Sequence, residues 1–242
     1  MLLFSTPIAE AQVNDVSAQR LPITPTVPAP QDGHYFAGDE IEFWVDHKGV
    51  TGNARLRFVG DDEIFYLTTD PATLGGRVLK YDSGDIALAV SSWGGVTLYT
   101  RETPNGIPAQ RIGEAPDLDP TPLPARELEA LALEATQALE GRAGLDVDFI
   151  ANWESVTRSN RVRNLTIESM RNASNALAEL ANKAETRSAH VEDIRLVRIV
   201  VSDESAIRIE NQALIILFDA NGEPWERPSS RAIVEAIENL PQ

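Results

Sequence analysis

Ala54-Arg-Leu-Arg-Phe58 alternates between apolar and charged side chains, and a two-residue rhythm runs from Tyr35 to about Ile112. Successive side chains of an extended chain point to opposite faces. Ala54, Leu56 and Phe58 are therefore predicted to face a core, and Arg55 and Arg57 to face away from it. Ile41–Val45, Ile64–Thr68, Arg77–Tyr81, Ile86–Val90 and Val96–Thr100 repeat the theme and are rich in β-branched and aromatic residues. Turn-formers separate them: His47-Lys-Gly49, Gly60-Asp-Asp62 and Asp82-Ser-Gly-Asp85. The prediction is an antiparallel meander, as a sheet or partial barrel. Within it, a three-residue loop Trp93-Gly94-Gly95 would set Val90 opposite Leu98 and leave Trp93 exposed at the tip.

Prolines at 104, 108, 116, 120, 122 and 124 mark a boundary, and the rhythm changes after them. Leu128, Leu131, Ala135, Ala138 and Leu139 recur at helical spacing up to Gly141, where a helix is predicted to stop. A second helix is predicted over 161–186, with Met170, Ala173, Leu177, Leu180 and Ala184 on one face. Strands are predicted at 145–150, 194–201, 206–210 and 213–219. A last helix over 229–240 is predicted to be capped by Ser229 or Ser230. The fold class is α+β, with helices of the second half packed on a mostly antiparallel sheet. The organisation is a signal-peptide remnant (1–11), a Pro-rich leader (12–34), a β-rich domain (35–112), a Pro-rich linker (113–124) and an α+β domain (125–242).

The leader bears on location. Ala9-Glu-Ala11 follows a short apolar stretch and has small residues at the −3 and −1 positions of a signal-peptidase site. The chain has no cysteine, which removes disulfides, thiol nucleophiles and thiolate metal sites. Together these features lead to an expectation of a bacterial periplasmic or secreted protein. No apolar run approaches the ~20 residues that span a bilayer as a helix, so no transmembrane segment is expected. The formal net charge of −16 disfavours nucleic acid and acidic lipid as general partners. The charge is uneven: Glu114–Glu154 holds ten acids against Arg126 and Arg142, whereas Val156–Val200 is net basic.

Candidate chemistry is sparse. The patterns G-x-x-x-x-G-K-[ST], G-x-S-x-G and H-E-x-x-H do not occur. Asp219-Ala-Asn-Gly-Glu223 resembles the start of a calcium loop, but its glycine stands at position four and Ser230 at position twelve. Only three histidines are present, so no metal site and no cofactor are expected. Asp146 and Asp148 share a face if extended, and form the carboxylate pair on which a hydrolase would rest. Arg158, Arg161 and Arg163 precede the long helix and would serve as an anion clamp for a small ligand. Trp93 is the contact residue for a partner at a loop tip. The leading expectation is a non-catalytic protein that binds an envelope protein or cell-surface component. The carboxylate hydrolase and the anion binder are its alternatives.

Gly60-Asp-Asp-Glu-Ile-Phe-Tyr-Leu67, Leu79-Lys-Tyr-Asp-Ser-Gly-Asp85, Trp93-Gly-Gly-Val-Thr-Leu-Tyr99 and Glu168-Ser-Met-Arg-Asn-Ala173 resemble a family of uncharacterised secreted alphaproteobacterial proteins, a domain of unknown function. The resemblance covers the chain from about Tyr35 on. It implies export, and brings no activity, cofactor or catalytic residue.

Overall fold

A computed structural model of the protein describes residues 29–48, 53–121, 124–183, 189–223 and 226–240. The signal-peptide remnant and most of the Pro-rich leader lie outside the described residues.

The first half is a closed, all-antiparallel barrel of eight strands in sequence order. The strands are β1 (Gly33–Ala37), β2 (Ile41–Asp46), β3 (Ala54–Phe58), β4 (Phe65–Pro71), β5 (Arg77–Lys80), β6 (Ile86–Val90), β7 (Val96–Leu98) and β8 (Ile107–Gly113). β1 and β8 were not singled out by the sequence pattern, yet their pairing closes the barrel and removes both open edges. Inward-facing Phe43, Val45, Leu56, Leu67, Leu79, Leu88 and Leu98 are fully buried and fill the interior. Aromatic rings touch in succession around the wall, Tyr35 to Phe43 (5.3 Å), Phe58, Phe65 and Tyr81, in stacked and edge contacts that suit their quadrupoles.

Closure gives the barrel two different ends. Every hairpin pairs neighbours, so the β3–β4, β5–β6 and β7–β8 loops share one end. The β4–β5 and β6–β7 loops share the other, together with the start of β1 and the end of β8. The β6–β7 loop is Ser92-Trp93-Gly94, one residue earlier than predicted, and Val90 pairs with Val96 rather than Leu98. Gly94 stands at φ +89, and Ser91 closes the loop. Its N–H donates to Gly95 O and its Oγ accepts from Gly95 N, both at 2.9 Å. Register shifts by a whole pleat, so Val90 and Leu98 both stay buried.

From β8 the chain runs back along the outside of β3. Leu118 is buried, and Asp119 reaches Arg55. Arg55 points outward as predicted but is not solvated. It grips Asp46 with two bonds of 2.6 Å and Asp119 at 2.7 Å, beneath this strap. Such a forked guanidinium–carboxylate pair is the arrangement that makes a buried charge tolerable.

The second half comprises α1 (Leu128–Ala143), β9 (Asp148–Ala151), α2 (Trp153–Val156), α3 (Asn160–Asn182), α4 (Ala189–Asp193), β10 (Leu196–Ser202), β11 (Ala206–Glu210), β12 (Ala213–Asp219) and α5 (Ser230–Glu238). Helix α1 runs through Gly141 and ends at Gly144, which takes the left-handed conformation at φ 65. Gly141 stands exposed in the last turn and stays helical at a modest propensity cost. Met170, Ala173, Leu177 and Leu180 of α3 are buried as predicted, and Ala184 lies outside the described residues.

The sheet, in order β11-β12-β10-β9, is mixed rather than mostly antiparallel: β10 runs parallel to both β12 and β9, and only β11–β12 is antiparallel. The helical crossover between β9 and β10 makes a parallel pair, and β12 folds back from β11 into the slot beside β10.

Two glycines test how closely the barrel is packed. A Cβ on Gly106 (φ +78) would lie 2.7 Å from Thr97 Cγ2 and 2.8 Å from Tyr99 Cε1, whereas one on Gly94 would meet nothing within 4 Å. Gly94→Ala is expected to cost about 1 kcal/mol from backbone strain alone, and Gly106→Ala about 3 kcal/mol from strain plus overlap. Thermal unfolding would then show midpoints roughly 3 °C and roughly 9 °C below the parent. Equal losses would contradict the packing around Gly106.

Candidate functional site

Two regions stand out: the seam where the halves meet, and the opposite end of the barrel.

The seam is built on α5. The first N–H groups of a helix lack intrahelical partners. Ser229 caps its own helix, its Oγ accepting from Arg231 N and Ala232 N. The remaining donors go to the barrel. Ser229 N and Oγ donate to Asp82 at 2.7 and 2.5 Å, and Ser230 N donates to Glu63 at 2.8 Å. Asp82 sits in the β5–β6 loop and Glu63 in the β3–β4 loop. An Asx turn fixes the latter loop, with Glu63 N donating to Asp61 Oδ1 at 2.9 Å, and Arg57 Nε donating to Asp61 O at 2.8 Å. Glu63 also accepts from Asn175 of α3. Asn172 donates to Pro228 O at 3.0 Å, Arg227 pairs with Glu168 and lies over Tyr66, and Arg231 lies 4.2 Å over Tyr81. Arg101 in the β7–β8 loop pairs with Glu179. Three of the four loops of this end, β3–β4, β5–β6 and β7–β8, therefore hold the second half.

Burial sets the protonation of the seam. Desolvation pushes the Glu63 carboxyl up to about 7, against the pull of its bonds from Ser230 and Asn175. Asp82 is raised by the same cause. Outside the seam, hydrogen bonds from Lys48 and Arg55 hold Asp119 below its ordinary value.

A cleft of about 290 Å³ opens between the strap, the barrel wall and α3, lined among others by Arg57, Asp62, Glu63, Glu168, Arg171 and Arg227. Every ionic side chain lining it has a protein partner. Arg57 bonds Asp61 O and pairs with Asp62, Arg171 reaches Asp62 O, Glu168 holds Arg227, and Lys48 holds Asp117 and Asp119. The cleft is a structural ionic network.

The far end differs. Leu74 in the β4–β5 loop is 95% exposed and Trp93 in the β6–β7 loop is 85% exposed. Leu74 also holds φ 59, a left-handed conformation that costs a leucine roughly 1–2 kcal/mol. The loops are adjacent, and a Cβ on Gly75 would stand 3.8 Å from Ser92. An apolar groove of about 400 Å³ runs between them, with Ala72, Val90, Val96 and Pro108 in its walls. Its lining holds no carboxylate and one cation, Arg77.

Of the residues singled out from sequence, Trp93 is the one at this end. Asp146 and Asp148 are both exposed and line neither the cleft nor the groove. The arginine trio is held apart by separate partners. Arg158 pairs with Glu154, Arg161 donates to Ala220 O and Gly222 O at 2.7 and 2.5 Å, and Arg163 bonds Thr157 O and Asn160. Sequence reasoning missed Leu74, Glu63 and Asp82. No group of three or more metal-ligating side chains occurs among the described residues, and no described helix is long and apolar enough to cross a membrane.

Residues 18–237 match a family model described as Domain of unknown function (DUF4908). The chain belongs to this family. No curated protein and no solved structure matches it. The match takes in the barrel, the strap and nearly all of the second half.

The raised Glu63 fixes a sign for pH dependence. A carboxyl titrating near 7 when folded and near 4.5 when unfolded binds more protons in the native state between those values. Its stabilising contribution is full below about 4.5 and is lost as pH rises through about 7. Glu63→Gln mimics the protonated acid. It is expected to flatten the decline in thermal midpoint between pH 5 and 8, leaving the variant roughly 3–6 °C above the parent at pH 8, a 1–2 kcal/mol effect in a chain this long. Parallel curves for parent and variant would contradict this protonation.

Proposed function

We propose that this family member is an exported, non-catalytic protein of the bacterial envelope that binds an envelope protein or cell-surface component through the Leu74–Trp93 end of its barrel. The observation that carries the reading is the pair of almost fully exposed apolar side chains on adjacent loops, one of them held in a strained conformation. Strain of this kind persists where function requires the side chain outward. Exposed apolar surface with an aromatic at its edge is the usual signature of a contact site. The Ala9-Glu-Ala11 motif, the absence of cysteine and the resemblance to secreted alphaproteobacterial proteins support export. The net charge of −16 argues against nucleic acid as the partner. The engaged ionic groups of the cleft favour binding over catalysis.

The double variant Leu74→Ser/Trp93→Ala is expected to keep its midpoint within about 2 °C of the parent, because exposed side chains contribute little to stability. It is also expected to lose at least about tenfold in capture of envelope components from fractionated cells. Equal capture by parent and variant would contradict the docking face, and recovery of the chain in the cytosolic fraction would contradict export.

A further inference from the structure

We propose that the Leu74–Trp93 end docks on a lipid bilayer surface, both loop tips entering the headgroup layer and Arg77 lying at the level of the phosphates. The inference rests on reading that end as the docking face, and names its partner.

Four observations favour lipid over a protein socket. First, the two side chains stand at the tips of neighbouring hairpins, 95% and 85% exposed. A pair of convex projections needs a deformable apolar phase rather than one shaped recess. Second, tryptophan has a large apolar body and an indole N–H, and it settles where hydrocarbon meets water. Third, the charge of the groove itself suits the phosphates of a zwitterionic headgroup layer, while the net charge of −16 opposes a strongly anionic surface. The chain carries 37 acidic residues, yet the groove between the tips has none and has one cation, Arg77, which makes no ion pair among the described residues. Fourth, the second half packs on the other end of the barrel, clamped to its loops through Glu63, Asp82 and Arg101. Two side chains alone give weak, reversible attachment, as a single acyl chain does. The geometry thus points to a peripheral protein that touches the membrane and leaves it.

Flotation of the full chain with phosphatidylcholine vesicles, with and without phosphatidylglycerol, tests this. The parent is expected to float with the vesicles, and Leu74→Ser/Trp93→Ala to lose at least about tenfold of the bound fraction. Arg77→Glu is expected to weaken binding most where phosphatidylglycerol is present. Brominated phosphatidylcholine is expected to quench tryptophan emission in the parent and to quench markedly less in Trp93→Phe, which still binds. The proposal is overturned if the parent stays below the vesicles in both lipids, if the double variant floats like the parent, or if quenching survives unchanged in Trp93→Phe. Failure of flotation alongside Leu74- and Trp93-dependent capture of an envelope protein overturns the lipid partner and leaves the docking face standing. Failure of both removes the docking face as well.

Discussion

The structure depends on two carboxylates reaching across from one half of the molecule to the start of a helix in the other. Glu63 and Asp82 of the barrel accept the first free N–H groups of α5. The positive end of the helix dipole and the unsatisfied donors there make a site for negative charge. Because these acids are on loops and the helix lies 147 to 167 residues further on, the bonds fix how the halves meet. The arrangement is poised rather than rigidly favourable: burial opposes ionisation of both acids while the helix favours it. Asn172, Asn175, Arg227 and Arg231 surround the joint, where the buried Tyr81 Oη and Arg227 Nε stay without a hydrogen-bond partner among the described residues.

That joint leaves the opposite end of the barrel for the proposed docking face. It occupies three of the four loops of one barrel end, and the strap with its buried Arg55 covers part of the wall. The interior is packed with leucine and aromatic side chains. The remaining distinctive surface is the opposite end, where loop tips carry side chains that the fold does not use. On the proposed reading, a clamped end and a presenting end together hold a contact surface on a rigid scaffold.

The legible parts of the sequence were those governed by local rhythm. β3, β6, β11 and β12 stand where the alternation of Ala54–Phe58, Ile86–Val90, Ala206–Glu210 and Ala213–Asp219 puts them. Trp93 was placed at a tip because a hairpin leaves few choices. β8 was hidden by Pro104 and Pro108, which read as linker. Pro108 is tolerated in the strand opposite Thr97, and no β8 side chain is fully buried. Strand direction was illegible in the second half, since β10 and β12 have the same apolar pattern whether parallel or antiparallel. Glu63 and Asp82 looked like ordinary turn residues, because what buries them arrives from far along the chain. Leu74 gave no signal at all: its left-handed backbone is visible only in three dimensions.

Amide hydrogen exchange of the intact chain, with and without isolated bacterial envelope membranes, tests most directly whether the presenting end is the working surface. The account requires slowed exchange in segments 72–77 and 91–96, with segments 57–64 and 164–172 unchanged. Protection centred on 57–64 and 164–172, leaving the two loop tips as they were, would contradict it.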